Sequence, residues 1–89
     1  MRAERTVLIT NKRGLHARAS AKFVTLASSQ PVDVAVAKDG QSVTGTSIMG
    51  LMMLGAAMGD TITISAAGDG AEDAVLKLVG LVEDRFGED

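Results

Sequence analysis

Thr61-Ile62-Thr63-Ile64-Ser65-Ala66 alternates apolar and polar side chains with a period of two, the pattern of a β-strand with one face buried and the other in water. A sheet built on such a strand needs cover on one side only. The cover stands on either side of it in the chain. Between Ala17 and Ser28, Ala19, Phe23, Leu26 and Ala27 recur at i, i+4, i+7 and i+8, with Lys22, Thr25 and Ser28 opposite, which predicts an amphipathic helix. Pro31, the only proline, forbids its continuation. From Ala71 to about Phe86, Ala74, Leu78, Leu81, Val82 and Arg85 fall at helical spacing. Glu72 and Asp73 lie in the first turn of that helix, where the macrodipole favours acids.

Working outward, Thr6–Thr10 reads as a strand closed by the turn Asn11-Lys12-Arg13-Gly14. Val32–Ala37 reads as a second strand, and Gln41–Thr44 as its return across Asp39-Gly40, a dipeptide that favours the positive φ of a tight hairpin. Ser47–Leu54 is a short apolar run of two helical turns. The order β-α-β-β-α-β-α has no internal repeat or linker, and a sheet with helices on one face buries it most economically.

Composition narrows the function. An 89-residue chain is one domain, 1–89, with a folded surface of about 4,900 Å² and little room for an enclosed catalytic cavity. With no Cys and one His, thiol chemistry and His/Cys metal sites are excluded, and no metal or cofactor is expected. No Trp, no Tyr and a net charge of −2 argue against a nucleic-acid partner. No run of 18 apolar residues suggests a membrane span, and the polar start Met1-Arg2-Ala3-Glu4-Arg5 is unlike a signal peptide, so a soluble cytoplasmic chain is expected.

Three features ask for an explanation. His16 follows Gly14 and opens the first helix, in Gly14-Leu15-His16-Ala17-Arg18-Ala19. A helix N-terminus presents free amides and about half a positive charge, a setting for a neutral nucleophilic imidazole that then carries a phosphoryl group. The Ala17 and Arg18 amides would donate to that group, and the Arg18 guanidinium would meet its oxygens. The plainer reading is a surface histidine in a polar turn. Ser47-Ile48-Met49-Gly50-Leu51-Met52-Met53-Leu54 is apolar all round, yet a chain this small cannot enclose it. Burying Leu51 and Leu54 leaves Ile48, Met49 and Met52 as an exposed docking patch; ordinary core is the alternative. Ser47 is a good N-cap, which accounts for it by itself; phosphorylated, it would place about −1.5 to −2 charge beside the patch and oppose docking.

Gly14-Leu15-His16-Ala17-Arg18-Ala19-Ser20 together with Ser47–Gly55 resembles the HPr family, the histidine-containing phosphocarriers of the bacterial phosphoenolpyruvate-dependent phosphotransferase system. The resemblance spans the chain. It implies an α+β open-faced β-sandwich, a four-stranded antiparallel sheet of order 1-4-2-3 with three helices on one face. It also implies that His16 takes a phosphoryl group on Nδ1 from enzyme I and passes it to enzyme IIA-type proteins, as a stoichiometric carrier and not an enzyme. Arg18 matches the phosphate-steadying arginine. Ser47 matches the serine modified by an ATP-dependent HPr kinase/phosphorylase, and Ile48, Met49 and Met52 match the docking surface. A monomer with an exposed active centre is expected.

Ala19 stands where many members have proline, and Met58 where lysine is frequent. Ile9–Gly14 and the acidic ending Phe86-Gly87-Glu88-Asp89 look more like the nitrogen-related branch than the sugar-transport branch. Two rival functions use the same residues differently. One is a regulatory interaction module acting through Ser47 and the Ile48/Met49/Met52 patch, with His16 incidental; the other is a small-molecule-binding regulatory domain.

Overall fold

The computed structural model describes residues 1–88 and contains, in chain order, β1 (Arg2–Leu8), α1 (Ala17–Ser28), β2 (Val34–Lys38), β3 (Gln41–Thr44), α2 (Ile48–Met53), β4 (Thr61–Ala67) and α3 (Ala71–Glu83). A 3-10 turn, Arg85–Gly87, follows α3. The strands form one antiparallel sheet in the order β1-β4-β2-β3, and the helices cover one face, which is the expected α+β open-faced sandwich. The accessible surface is 4925 Å².

The alternation in β4 explains its central place. Ile62, Ile64 and Ala66 are buried toward the helices, while Thr61, Thr63 and Ser65 point to the open side, with Ser65 and Thr63 opposite Ala35 and Ala37 of β2. Val34 and Val36 of β2 join the same core, with Phe23 and Ala19 of α1, Leu51 of α2, and Val75, Leu78 and Val82 of α3. The β2–β3 hairpin closes through Asp39 and Gly40, at φ 50° and 81°, with Lys38 facing Gln41. Positive φ at both positions gives the turn a twist that suits a two-residue hairpin.

Three boundaries differ from the sequence reading. β1 is Arg2–Leu8 and not Thr6–Thr10. Arg2, Glu4 and Thr6 lie on the open face and mask the strand, and Arg5 ends in an ion pair with Glu72 at 3.5 Å. Beyond β1, pairing continues as backbone contact: Ile9 N–H donates to the Asp60 carbonyl at 2.8 Å, and Gly59 N–H to the Ile9 carbonyl at 2.9 Å. β2 begins at Val34 and not at Val32.

The third difference matters most for function. α3 stops at Glu83 and does not run to Phe86, and Arg85 leaves its helical face. Arg85 and Phe86 both take φ 55°, a left-handed conformation that costs non-glycine residues about 1–2 kcal/mol each. The turn carries the Phe86 ring into full burial, worth about 1.5–3 kcal/mol. Lys22 Nζ in α1 adds a 2.7 Å hydrogen bond to the Phe86 carbonyl. The chain end is thereby folded back across α1. Asp89, part of the acidic ending, lies outside the described residues.

Candidate functional site

The loop from Ile9 to Leu15 sets the entry to α1. Gly14 has φ +62°, and a Cβ there would stand 2.2 Å from the Ala56 carbonyl oxygen. That oxygen accepts the Leu15 N–H at 2.9 Å, so the loop is seamed to the exit of α2. Asn11 braces the loop from within: it is 2% exposed, and its Nδ2 donates to the Gly14 carbonyl at 2.8 Å. Leu15 is buried beside it, and the next residue, His16, is left at the surface as the N-cap of α1.

His16 has extended backbone, φ −73° and ψ 178°, and its carbonyl receives the Ser20 N–H at 2.9 Å, the first bond of the helix. Its side chain turns back over the helix mouth, where Nδ1 accepts the Arg18 N–H at 3.2 Å. An amide only donates, so Nδ1 carries the lone pair and the ring proton is assigned by this network to Nε2. Ala17, the first helical residue, has an N–H with no intrahelical acceptor. The Arg18 side chain is exposed and, among the described residues, forms no ion pair.

The expectation of an exposed active centre needs correction at His16. The His16 side chain is 13% exposed, because Glu88 of the folded-back chain end lies against it, Oε2 to Nε2 at 2.5 Å. Asn11 Nδ2 also donates to Glu88 Oε1 at 3.2 Å. The hydrogen bond from His16 is the main cause holding the Glu88 carboxyl below the usual carboxylate range. Partial removal from water works against it, and the Asn11 amide and the Lys22 charge add to the lowering. The ring is covered at Nε2 by a carboxylate.

Asn11 and Glu88 are neighbours of the candidate site that sequence reasoning passed over. Asn11 was legible only as a turn residue. The signal for Glu88 was an isolated Phe86 just beyond a helix, followed by Gly87 and an acid.

The second candidate element is α2. Ser47 caps it, its Oγ accepting the Gly50 N–H at 2.9 Å. Leu51 and Leu54 are buried as expected, while Ile48, Met49 and Met52 are exposed. Met53 and Met58 are exposed too, so the patch is wider than the sequence reading drew it. Met58 lines a cleft with Thr10, Asn11, Lys12 and Arg85, which brings it to the rim of the His16 loop. A broad concavity lies on the open face of the sheet, beside Arg2, Ser42, Thr44 and Ser65, and holds none of the candidate residues. Among the described residues no group of three His, Cys, Asp or Glu side chains is placed to hold a metal ion, and no helix is long and apolar enough to cross a membrane.

Comparison with known proteins covers this whole arrangement. The family profile described as "PTS HPr component phosphorylation site" matches residues 3–84. The phosphocarrier protein HPr of Cupriavidus necator is 44% identical over 85 residues, 96% of each chain. The phosphocarrier protein NPr of Shewanella violacea is 39% identical over 85 residues, 96% of this chain and 93% of that one. A crystal structure of HPr from Thermoanaerobacter tengcongensis superposes with a TM-score of 0.92 at 46% identity, covering 98% of both chains.

Proposed function

The chain belongs to the HPr family of phosphotransferase-system phosphocarriers, and from that premise we propose that His16 Nδ1 is the atom that carries the phosphoryl group. In this reading residues 1–89 act as one domain in the cytoplasm, take the group from phosphorylated enzyme I and give it to enzyme IIA-type acceptors. As a member of this family it is a carrier and not an enzyme.

The observation that carries the proposal is the orientation of the imidazole. Nδ1 bears the lone pair and faces the amide of Arg18. At 3.2 Å that hydrogen bond is long and readily surrendered. When Nδ1 attacks phosphorus, the Arg18 amide is released to a phosphoryl oxygen, the Ala17 amide is available to another, and the exposed Arg18 guanidinium would meet the same charge. Phosphoryl transfer proceeds through a loose transition state, so positioning and charge are what the protein contributes. Both suit a shallow site that two proteins approach in turn.

Incubation with phosphoenolpyruvate and enzyme I should give an acid-labile phosphate on the wild type and none on His16→Ala. Label that persists in the variant excludes His16. Arg18→Ala should slow transfer about tenfold, the rate equivalent of one charged hydrogen bond of about 1.4 kcal/mol. An unchanged rate removes Arg18 from the site.

Ser47 is proposed as a regulatory phosphorylation site for an HPr kinase/phosphorylase. It stands at the head of the helix that exposes Ile48, Met49 and Met52, the proposed docking surface. A phosphate there would add about −1.5 to −2 charge to a patch that partners must desolvate.

A further inference from the structure

We propose that Met49, Met52, Met53 and Met58, displayed on and beside α2, are a reversible oxidation site: peroxide converts their thioethers to sulfoxides, which weakens the seating of partner proteins and leaves the fold intact. The inference rests on the proposed reading of α2 as the docking surface and adds a modification to it.

The placement of sulfur in the molecule carries the inference. All five methionines of the chain are exposed, and the apolar core is built from Ala, Val, Ile, Leu and Phe alone. Methionine ordinarily fills irregular gaps in cores, so a fold that places none of it inside has put its thioethers where solvent and partners meet them. Four of the five fall within residues 49–58. Met52 and Met53 follow Met49 at i+3 and i+4, the spacing that sets helical side chains beside one another. Met58 stands at the rim of the His16 loop, in the cleft with Asn11 and Lys12. The fifth, Met1, precedes β1, whereas the His16 loop follows the other end of that strand; the Met1 carbonyl accepts the Gly68 N–H at 2.7 Å. The chain has no Cys, Trp or Tyr, so dilute peroxide meets no more reactive side chain first.

The oxidation balances with hydrogen peroxide as the only co-reactant. A sulfur lone pair attacks one peroxide oxygen, the S–O bond forms as the O–O bond breaks, and the departing oxygen takes up the proton of the transferred one and leaves as water. Sulfur is oxidised by two electrons and the peroxide reduced by two. A thiol-dependent methionine sulfoxide reductase reverses the step: the oxygen leaves as water and two thiols close to a disulfide. Each sulfoxide sets a strong acceptor on a surface that a partner must desolvate, where an oxygen left without a donor opposes burial. The core loses nothing, because it contains no methionine. Exposure orders the reaction: Met53 at 76% and Met49 at 68% lead, Met58 follows at 59%, and Met52 at 40% is last.

The test treats the full chain with hydrogen peroxide, maps sulfoxides by peptide mass spectrometry, and measures transfer from phosphorylated enzyme I with the carrier as varied substrate. Sulfoxide should form at Met53 and Met49 before Met52. With all four converted, KM should rise about tenfold, kcat should change less than about twofold, and the urea midpoint should not move. Methionine sulfoxide reductases of both epimer specificities should restore the starting KM. The fourfold variant Met49→Leu, Met52→Leu, Met53→Leu, Met58→Leu, compared only with itself before treatment, should keep its KM through the same exposure although Met1 is still oxidised. An unchanged KM in wild type carrying all four sulfoxides overturns the inference. So does a loss that the fourfold variant shares, since the damage then lies elsewhere, or a urea midpoint lowered far enough to unfold the carrier in the assay. Met49→Asp, assayed without peroxide, separates this inference from the docking reading. At wild-type KM, that variant removes α2 as the seat of partners and the oxidation site with it. Impaired, while the sulfoxides change nothing, it leaves the docking surface standing and removes the oxidation site alone.

Discussion

His16 and Ser47 occupy the same structural position on two different helices. Each is an extended N-cap whose side chain accepts an amide from the turn ahead, Arg18 for His16 and Gly50 for Ser47. Behind that shared geometry they differ. His16 heads a twelve-residue helix, has an exposed guanidinium two residues on, and is gripped at its second nitrogen by Glu88. Ser47 heads a six-residue helix whose outward face is apolar, and its one polar atom is already used in the cap. The imidazole has two nitrogens, so one can be held while the other reacts. A hydroxyl offers no such second handle. On the proposed roles, the same cap geometry would hold a labile N–P bond at His16 and a stable phosphoester at Ser47.

The comparison breaks most visibly if the two sites are not chemically separate. His16→Ala should lose all phosphoenolpyruvate-dependent label while still accepting acid-stable phosphate from ATP and a cognate kinase, and Ser47→Ala should do the reverse. Label that moves with the wrong variant dissolves the distinction. Next in size is cross-talk: Ser47→Asp should slow transfer from enzyme I about tenfold, the equivalent of about 1.4 kcal/mol of lost docking. A wild-type rate would falsify the idea that α2 is where partners seat. Smaller again is the effect on folding. Ser47→Ala should cost about 1 kcal/mol in urea unfolding through loss of its cap. His16→Ala should lose less through its cap, whose bond is longer, but it also loses the bond to Glu88.

The smallest expected effect is a pH dependence confined to the His16 side. Glu88 has a lowered value in the folded chain, chiefly through the hydrogen bond from His16, so its contribution is fully present above the ordinary carboxylate range. It is lost as pH falls through the lowered folded-state value. Amide shifts of Gly87 and Glu88 should follow that acid titration in wild type and stay flat in Glu88→Gln. The Ser47 cap has no titrating partner and should not move with them.

Much of this was legible in the chain itself, for identifiable reasons. α1 lies where Phe23 and Ala27 recur on one face and Pro31 ends the run, and the hairpin turns where Asp39-Gly40 permits positive φ. Those signals are local, and the local physics decides the outcome. β1 was obscured because its outward residues are charged and its inward ones include only Ala3 and Val7 as buried positions. The return of the chain end was hidden for a different reason. Arg85 and Phe86 adopt a conformation their own preferences oppose, and only the cavity waiting for the Phe86 ring explains it. Glu88 could not be placed against His16 without knowing that reversal. The enlargement of the patch to Met53 and Met58 likewise depends on which faces the core consumes.

The seam between Gly14 and Ala56 has a consequence of its own. With no space for even a methyl group at that junction, and with Leu15 bonded across it, the entry of α1 and the exit of α2 hold a fixed spacing. Under the proposed docking, a visiting protein that reached His16 would meet the α2 methionines at that set spacing. A phosphate on Ser47 would then act on transfer through the visitor's own rigid body, with no movement required inside the carrier.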